Sequence, residues 1–277
     1  MDYVKPVDVA AAMVNTGQSK LRLTPADLVI RGALAGSILG AATSLAFTGA
    51  LQTGVPLVGA LIFPVGLAII VLLGLDLVTG SFGLLPLPCI EKTGDPRTMF
   101  MNWIYVFIGN LIGSMVYGAL LAIALTNFGS VAPTGVAAQI IAVAQAKTTG
   151  YAAFGFAGMV TVFVKAILCN WMVCLAIVMA MTSASTVGKI AALWMPMLIF
   201  FGQGFEHSVV NMFVIPTGML MGAKVSVAQW WLWNQIPVTL GNLVGGSIFT
   251  GLALYLTHKP KVTAPAPLTA PSQVPAE

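Results

Sequence analysis

Hydrophobic residues run along this chain in long stretches separated by short polar loops. The stretches lie at residues 28–49, 55–90, 99–126, 154–182, 191–222 and 228–257. A helix needs about 20 apolar residues to cross the hydrocarbon core of a bilayer, so the pattern predicts six membrane-spanning helices. We therefore expect residues 28–257 to form one all-α integral membrane domain, flanked by the segments 1–27 and 258–277.

The second and fifth stretches are longer than one crossing needs, and glycine and acidic residues interrupt both. Gly74 and Asp76 interrupt the second stretch; Gly204, Glu206 and His207 interrupt the fifth. Each stretch is predicted to form two half-helices around an unwound turn, with the acidic residue capping or bracing the break. Unwound backbone is tolerated at membrane depth only where it is buried in protein or lines a cavity. An ionisable residue at this depth also indicates a functional site.

The two halves of the chain resemble each other around these breaks. The repeated motifs are Gly74-Leu-Asp76 followed by Gly109-Asn110-Leu-Ile-Gly113, and Gly204-Phe-Glu206 followed by Gly241-Asn242-Leu-Val-Gly245. Each half holds three spans, so the second half must enter the membrane in the opposite direction. The pattern predicts an inverted repeat with one broken helix in each half, an arrangement that places a transport site between the halves. The glycines one helical turn apart indicate close helix packing.

Composition supports a membrane protein, and the distribution of charge orients it. The chain is 58% hydrophobic and only 7% charged, whereas a soluble domain carries about 25% charged residues. If both termini are cytoplasmic, nine basic residues lie inside and two, Lys147 and Lys224, lie outside. This bias predicts a multi-pass protein of the cell (inner) membrane with cytoplasmic termini. Lys165 falls within the fourth span, where it must snorkel or face polar groups between subunits.

The terminal segments and the remaining composition limit the other options. Residues 6–20 are expected to form an amphipathic helix along the inner face, and residues 258–277 a disordered cytoplasmic tail. The N-terminal residues lack a basic segment that leads into a short apolar run, so we expect no cleaved signal peptide. The basic residues are scattered over short loops, which argues against a nucleic-acid partner, and the three cysteines lack metal-ligand spacing. No nucleotide loop, zinc set or catalytic constellation is present, so we predict no enzyme, no metal and no cofactor.

Several motifs together resemble the formate/nitrite transporter family. The matching residues are Asp76-Leu-Val-Thr79-Gly80, Asn102-Trp-x4-Ile-Gly109-Asn110, Cys169-Asn170-Trp-Met-Val-Cys174-Leu-Ala, Gly204-Phe-Glu206-His207-Ser-Val-Val-Asn211-Met212 and Pro237-Val-Thr-Leu-Gly241-Asn242. The resemblance runs from about residue 5 to residue 257. It implies an aquaporin-like fold with one pore per protomer and five protomers around a central axis. It also implies passage of small monovalent anions or their conjugate weak acids.

The resemblance assigns the centre of the pore to two residues at the helix breaks. Thr79 would lie in the unwound loop of the second span and His207 in that of the fifth. Asn170 and Asn211 would be the polar neighbours of His207. Because His207 and Asn211 are four residues apart, they are also expected to share one face of the second half-helix. Glu206 would face away from that side and support the break.

The resemblance also implies two constrictions and a vestibule. Phe63 and Phe200 would form the outer constriction, and Leu67, one turn after Phe63, would help to form the inner one. Lys147 matches the family's vestibule lysine in local sequence, although the segment between Lys147 and Asn170 is longer than the family spacing. In this position Lys147 would attract anions to the outer vestibule.

Energies favour the passage of a weak acid in its neutral form. Protonating a carboxylate-like anion at pH 7 costs about 4 kcal/mol, and removing water from the anion can cost more. We therefore hypothesise that an anion attracted by Lys147 gains a proton near the centre and crosses the apolar constrictions as a neutral molecule. His207 would either donate that proton or only polarise the site, and the sequence leaves both options open.

Nitrite and formate are the expected substrates, and two alternatives remain. Hydrosulfide is also a small monovalent weak-acid anion, and the Ala-Lys-Thr-Thr and Cys-Asn-Trp motifs give only a slight preference for nitrite. A neutral-solute channel of the water or glycerol type is the second alternative. That class usually carries paired Asn-Pro-Ala boxes at the broken helices, and the sequence contains no such box.

Overall fold

The computed structural model of the chain describes residues 2–259, so residues 260–277 of the predicted tail lie outside the described part. Within that part a first helix, Pro6–Leu21, covers the segment predicted to be amphipathic. Its buried side chains Val9 and Met13 pack against Leu87 of the second span and Tyr255 of the sixth. The N-terminal helix is therefore attached to the membrane domain by its apolar face.

Six apolar helical spans follow in the predicted order. The first, third, fourth and sixth spans are long and apolar enough to cross a membrane, and they are Pro25–Thr53, Pro96–Thr126, Gly155–Ala180 and Val227–His258. The second span consists of Pro56–Ile62, Val65–Leu72, Val78–Leu84 and Pro86–Ile90, and the fifth of Thr186–Gly202 and Ser208–Leu220. The prediction of an all-α membrane protein with two broken helices is confirmed.

The two principal breaks have the same local structure. The first half-helix of the second span ends at Gly74 (φ 64°) and that of the fifth span at Gly204 (φ 63°). The next residue folds back in each case, because the Leu75 N–H donates to the carbonyl of Ile70 at 2.9 Å and the Phe205 N–H to that of Phe200 at 3.1 Å. This is the glycine-terminated helix end in which a left-handed residue satisfies the last carbonyls. A side chain larger than hydrogen would strain the backbone at both glycines.

The first span packs closely on the third, and the fourth on the sixth. A Cβ atom on Gly113 of the third span would lie 1.8 Å from the Ala33 carbonyl oxygen. In the second half, a Cβ atom on Gly245 would lie 2.2 Å from the carbonyl oxygen of Ile167. Such contact between backbones is possible only with small residues. The same helix pairs therefore come together in both halves, as an inverted repeat requires.

The sequence did not predict two features of the fold. The loop before the fourth span contains the helices Val136–Ala146 and Thr149–Ala152. The first of them is too short to span a membrane, and Ala144 on it lies against Gly218 of the fifth span. The sixth span contains the π-helical segments Trp231–Gln235 and Gly245–Leu252. Such wide turns rotate the following side chains and occur often at functional sites.

We expect Gly113→Ala to destabilise the protein by about 3 kcal/mol, because the new methyl group must displace backbone atoms of the first span. The measurement is the thermal unfolding temperature of the purified protein in detergent. Gly150→Ala is the matched control, since the nearest atom to its Cβ, the Gln145 carbonyl oxygen, lies 3.5 Å away. Equal unfolding temperatures for the two variants would contradict the close packing of these spans.

Candidate functional site

Each helix break is closed by one asparagine from the last span of its half. The Asn110 side chain accepts from the Val78 N–H at 2.9 Å and donates to the Asp76 carbonyl at 2.8 Å. The Asn242 side chain accepts from the Ser208 N–H at 2.8 Å and donates to the carbonyl of Glu206 at 2.9 Å.

Both amides also donate to the first helix of their own half, to the carbonyls of Gly32 and Ala166, each at 2.8 Å. These bonds satisfy backbone groups that the unwound turns expose, which is a requirement at membrane depth. The repeated pairs Gly109-Asn110 and Gly241-Asn242 could have indicated that the asparagines close the breaks. The sequence interpretation used only the glycines of these pairs.

The two acidic residues at the breaks bind lysines, and no helix cap by either carboxylate is present among the described residues. Asp76 pairs with Lys20 of the N-terminal helix. Glu206 pairs with Lys147, whose Nζ lies 2.8 Å from Oε2. The acids therefore link each break to a segment outside the six spans. The acids were expected to cap or to brace the breaks, and these ion pairs are contacts of the bracing kind. The contact made by Lys20 was not anticipated.

The carboxylate of Glu206 is surrounded by hydrogen-bond donors. The Tyr151 hydroxyl donates to Oε1 at 2.8 Å, and Oε2 accepts from the amides of Asn211 at 2.8 Å and Asn234 at 3.3 Å. Asn234 also donates to the backbone carbonyl of Lys147 at 2.9 Å. Because all of these partners donate hydrogen bonds to it, the carboxylate is stabilised in its charged form. Asn234 comes from the first π-helical segment, so the irregular turn of the sixth span completes this network.

His207 occupies the N-terminal end of the helix Ser208–Leu220. Its Nδ1 atom accepts a hydrogen bond from the Val210 N–H at 3.2 Å, and its Nε2 atom lies 3.2 Å from the Thr79 hydroxyl. A ring nitrogen that accepts from a backbone N–H carries no proton, so the proton of a neutral ring is on Nε2. The Phe200 ring stacks on the imidazole with centroids 5.7 Å apart. Thr79 lies in the first turn of the helix Val78–Leu84 and not in the unwound loop as predicted, whereas His207 lies in the loop. The two side chains are thus brought into direct contact.

The side-chain amides of Asn170 and Asn211 make no hydrogen bond to the His207 ring in the described part of the chain. The amide of Asn170 donates to the carbonyl of Thr79 at 3.0 Å and to that of Asn242 at 2.6 Å. The Asn211 amide turns to Glu206. That both asparagines are polar neighbours of His207 stays a prediction. Their N–H groups bind other acceptors, which are backbone carbonyls for Asn170 and the side chains of Glu206 and Asn234 for Asn211. Asn170 still acts next to the site by holding Thr79.

Two cavities reach the neighbourhood of the Thr79–His207 contact. His207 lines one, Leu77 and Gly80 on either side of Thr79 line the other, and no described residue lines both. One, which we name the Lys147 cavity, has a volume of about 560 Å³ and is lined by Lys147, Glu206, His207 and Phe200 among others. The other, the Lys20 cavity, has a volume of about 220 Å³ and is lined by Lys20, Leu67, Leu77 and Gly80 among others.

Two of the three predicted constriction residues line these cavities, Phe200 the Lys147 cavity and Leu67 the Lys20 cavity. Phe63 is fully buried, and its ring meets that of Phe200 edge to face at 5.5 Å and that of Phe201 face to face at 4.0 Å. The Phe63, Phe200 and Phe201 rings therefore form an apolar cluster next to His207, and such a cluster is a barrier to a hydrated ion.

The comparisons with known proteins agree with this architecture. The family model described as Formate/nitrite transporter matches residues 7–256. The chain belongs to the formate/nitrite transporter family. It is 34% identical over 271 residues to the probable formate transporter of Methanothermobacter thermautotrophicus, and the match covers 92% of this chain and 97% of that relative.

Two solved structures resemble this family member. One, described as an FNT family ion channel, has a TM-score of 0.79 and 30% sequence identity, and the match covers 90% of this chain and 98% of that one. The other, a pentameric formate channel with formate bound, has a TM-score of 0.69 and 27% identity, with 84% and 97% covered. The chain is therefore a multi-pass membrane protein that transports small anions, and it belongs to a family of transporters and not of enzymes.

In this formate/nitrite transporter family member, we expect Lys147→Met to lower stability, because the Glu206 carboxylate would lose its counter-charge while its side chain is only 2% exposed. Removing one partner of a buried ion pair costs about 3 kcal/mol or more. The thermal unfolding temperature in detergent should fall, and adding Glu206→Gln should restore part of the loss. Lys224→Met, which removes an exposed lysine, is the control. A Lys147→Met protein as stable as this control would show that the ion pair contributes nothing.

Proposed function

We propose that the protein carries formate or nitrite between the two cavities, past Thr79 and His207, and that the anion crosses as its neutral weak acid. The observation that carries the proposal is the position of His207. This residue lines the Lys147 cavity and contacts Thr79, whose chain neighbours Leu77 and Gly80 line the Lys20 cavity. A solute moving between the cavities must replace or pass this contact.

The geometry of His207 favours a neutral ring that polarises the solute over a ring that supplies a proton. A second proton would have to bind Nδ1, and this would break the hydrogen bond from Val210. It would also place a positive charge at the positive end of a helix dipole, where cations are disfavoured. The Nε2–H group can instead donate to an oxygen of the solute in place of Thr79. The proton that neutralises the anion then comes from solvent in the cavity.

The surrounding side chains support selection for a weak acid. Phe63, Phe200 and Leu67 offer no polar group to replace the water shell of an ion, so a charged solute meets a desolvation barrier there. A weak acid avoids the barrier by taking up a proton, whereas the anion of a strong acid cannot. Gly74, Gly204, Asp76 and Glu206 support the breaks that hold the central pair in place.

We further propose that the protein is a homopentamer in the cell (inner) membrane with both termini in the cytoplasm. Its likeness to a pentameric formate channel supports the assembly. The nine-to-two distribution of basic residues supports the orientation. In this orientation the Lys147 cavity opens to the outside and the Lys20 cavity to the cytoplasm.

We expect proteoliposomes that contain the purified protein to take up formate and nitrite faster than empty liposomes, with uptake rising as pH falls because the neutral acid crosses. Parallel assays with hydrosulfide and with water would test the two alternatives. Water permeability above that of empty liposomes, without anion uptake, would favour a neutral-solute channel. Uptake of hydrosulfide without uptake of formate or nitrite would identify hydrosulfide as the substrate.

We expect His207→Asn to keep measurable anion uptake with the pH response of the wild type, because an asparagine can both cap the helix and donate an N–H. His207→Leu removes the cap and the donor, and we expect uptake to fall by about tenfold, equivalent to one lost hydrogen bond of about 1.4 kcal/mol. The measurement is initial uptake against pH in proteoliposomes. If His207→Asn abolished the pH response, His207 would be the group that supplies the proton.

A further inference from the structure

Each cavity contains two lysines, of which one is paired and the other is not. In the Lys147 cavity the second lysine is Lys165 of the fourth span. In the Lys20 cavity it is Lys189, near the start of the fifth span. The ion pairs found within residues 2–259 involve Lys20, Lys147 and Lys259. Lys165 and Lys189 therefore have no carboxylate within 4.0 Å in the described part of the chain.

The surroundings of Lys165 keep its ammonium group in the cavity. The group lies 5.8 Å from the centre of the Tyr151 ring, a distance at which a cation is attracted to an aromatic face. The Tyr151 hydroxyl is bonded to Glu206, so the ring is fixed in place. A lysine in the middle of a membrane span is costly unless it reaches water or a polar partner. Here Lys165 lines the Lys147 cavity.

The charges of the lining residues determine which lysine acts on an anion. In the Lys147 cavity, the opposite charges of Lys147 and Glu206 cancel at a separation of 2.8 Å. Lys165 then leaves the cavity with a net charge of one positive unit. In the Lys20 cavity, Asp76 cancels Lys20 in the same way, and Lys189 leaves the same surplus. A cleft with low-dielectric walls and charge of one sign concentrates ions of the opposite sign.

We propose that Lys165 and Lys189 are the residues that capture the anion, one at each end of the path, and that Lys147 and Lys20 serve to neutralise the acids at the breaks. This inference rests on the proposed function. It moves the anion-attracting role from Lys147, to which the sequence assigned it, to a lysine that no carboxylate neutralises.

The test is formate uptake against formate concentration, in membrane vesicles of the two opposite orientations. Lys165→Gln should raise the half-saturating concentration about 3- to 10-fold for formate that enters from the side of the Lys147 cavity. Lys189→Gln should do the same for entry from the other side only. The maximal rate should not fall, since the central barrier is untouched. Lys165→Arg and Lys189→Arg keep the charge and should behave as the wild type.

Matched controls separate a local charge from the total charge of the protein. Lys224→Gln and Lys92→Gln each remove one exposed lysine that lines neither cavity, and both should leave the half-saturating concentration unchanged. High ionic strength should raise this concentration for the wild type, because salt screens the lysines. This dependence gives an answer even if a glutamine variant fails to fold.

Three outcomes would overturn the inference. One is a glutamine variant with the half-saturating concentration of the wild type from both sides. Another is an equal rise in the control variants, and the third is a wild-type value that does not respond to salt. Any of these, in a protein that transports formate, would leave the proposed function intact. A wild-type protein that moved neither formate nor nitrite would overturn the proposed function and this inference with it.

Discussion

The structure depends on one constraint. Inside the membrane, the two interrupted helices must find hydrogen-bond partners for their unwound backbone and counter-charges for their acidic side chains. The same solution occurs in both halves. An asparagine from the last span of the half bonds both sides of the break, and a lysine from outside the six spans neutralises the acid. Without these partners, each break would leave polar groups unpaired where no lipid can replace them. The close glycine contacts between spans bring the asparagines within hydrogen-bonding distance of the breaks.

Satisfying the breaks also suits the proposed path of an anion. An unneutralised Glu206 beside the cavity would repel a negative solute, and its pairing with Lys147 removes that repulsion. The same network fixes the start of the following helix, and so it fixes the His207 ring that caps this helix. Support of the fold and preparation of the site are therefore carried out by one set of hydrogen bonds.

The repeat is symmetric in its support and asymmetric at the centre. Leu77 and His207 hold equivalent positions before the second half-helices, with φ/ψ of −104°/132° and −110°/122°. One is apolar and faces the Lys20 cavity, and the other carries the ring that meets Thr79. The backbone requirements are the same on both sides, so those residues match. In the proposed pathway only one side supplies a donor to the solute, and the repeats differ at that position.

The sequence by itself determined the spans, the two breaks and the repeat. These properties depend on the length of apolar runs relative to the bilayer and on glycine and acidic residues close together in the chain. Tertiary structure alone decided the partners of the side chains. Lys20 is 56 residues from Asp76, and Lys147 is 59 residues from Glu206. Helical spacing placed Asn211 on the face of His207, but the direction of its amide depends on Glu206 and Asn234. Such choices depend on which acceptors the folded chain brings near, and spacing along one helix cannot encode them.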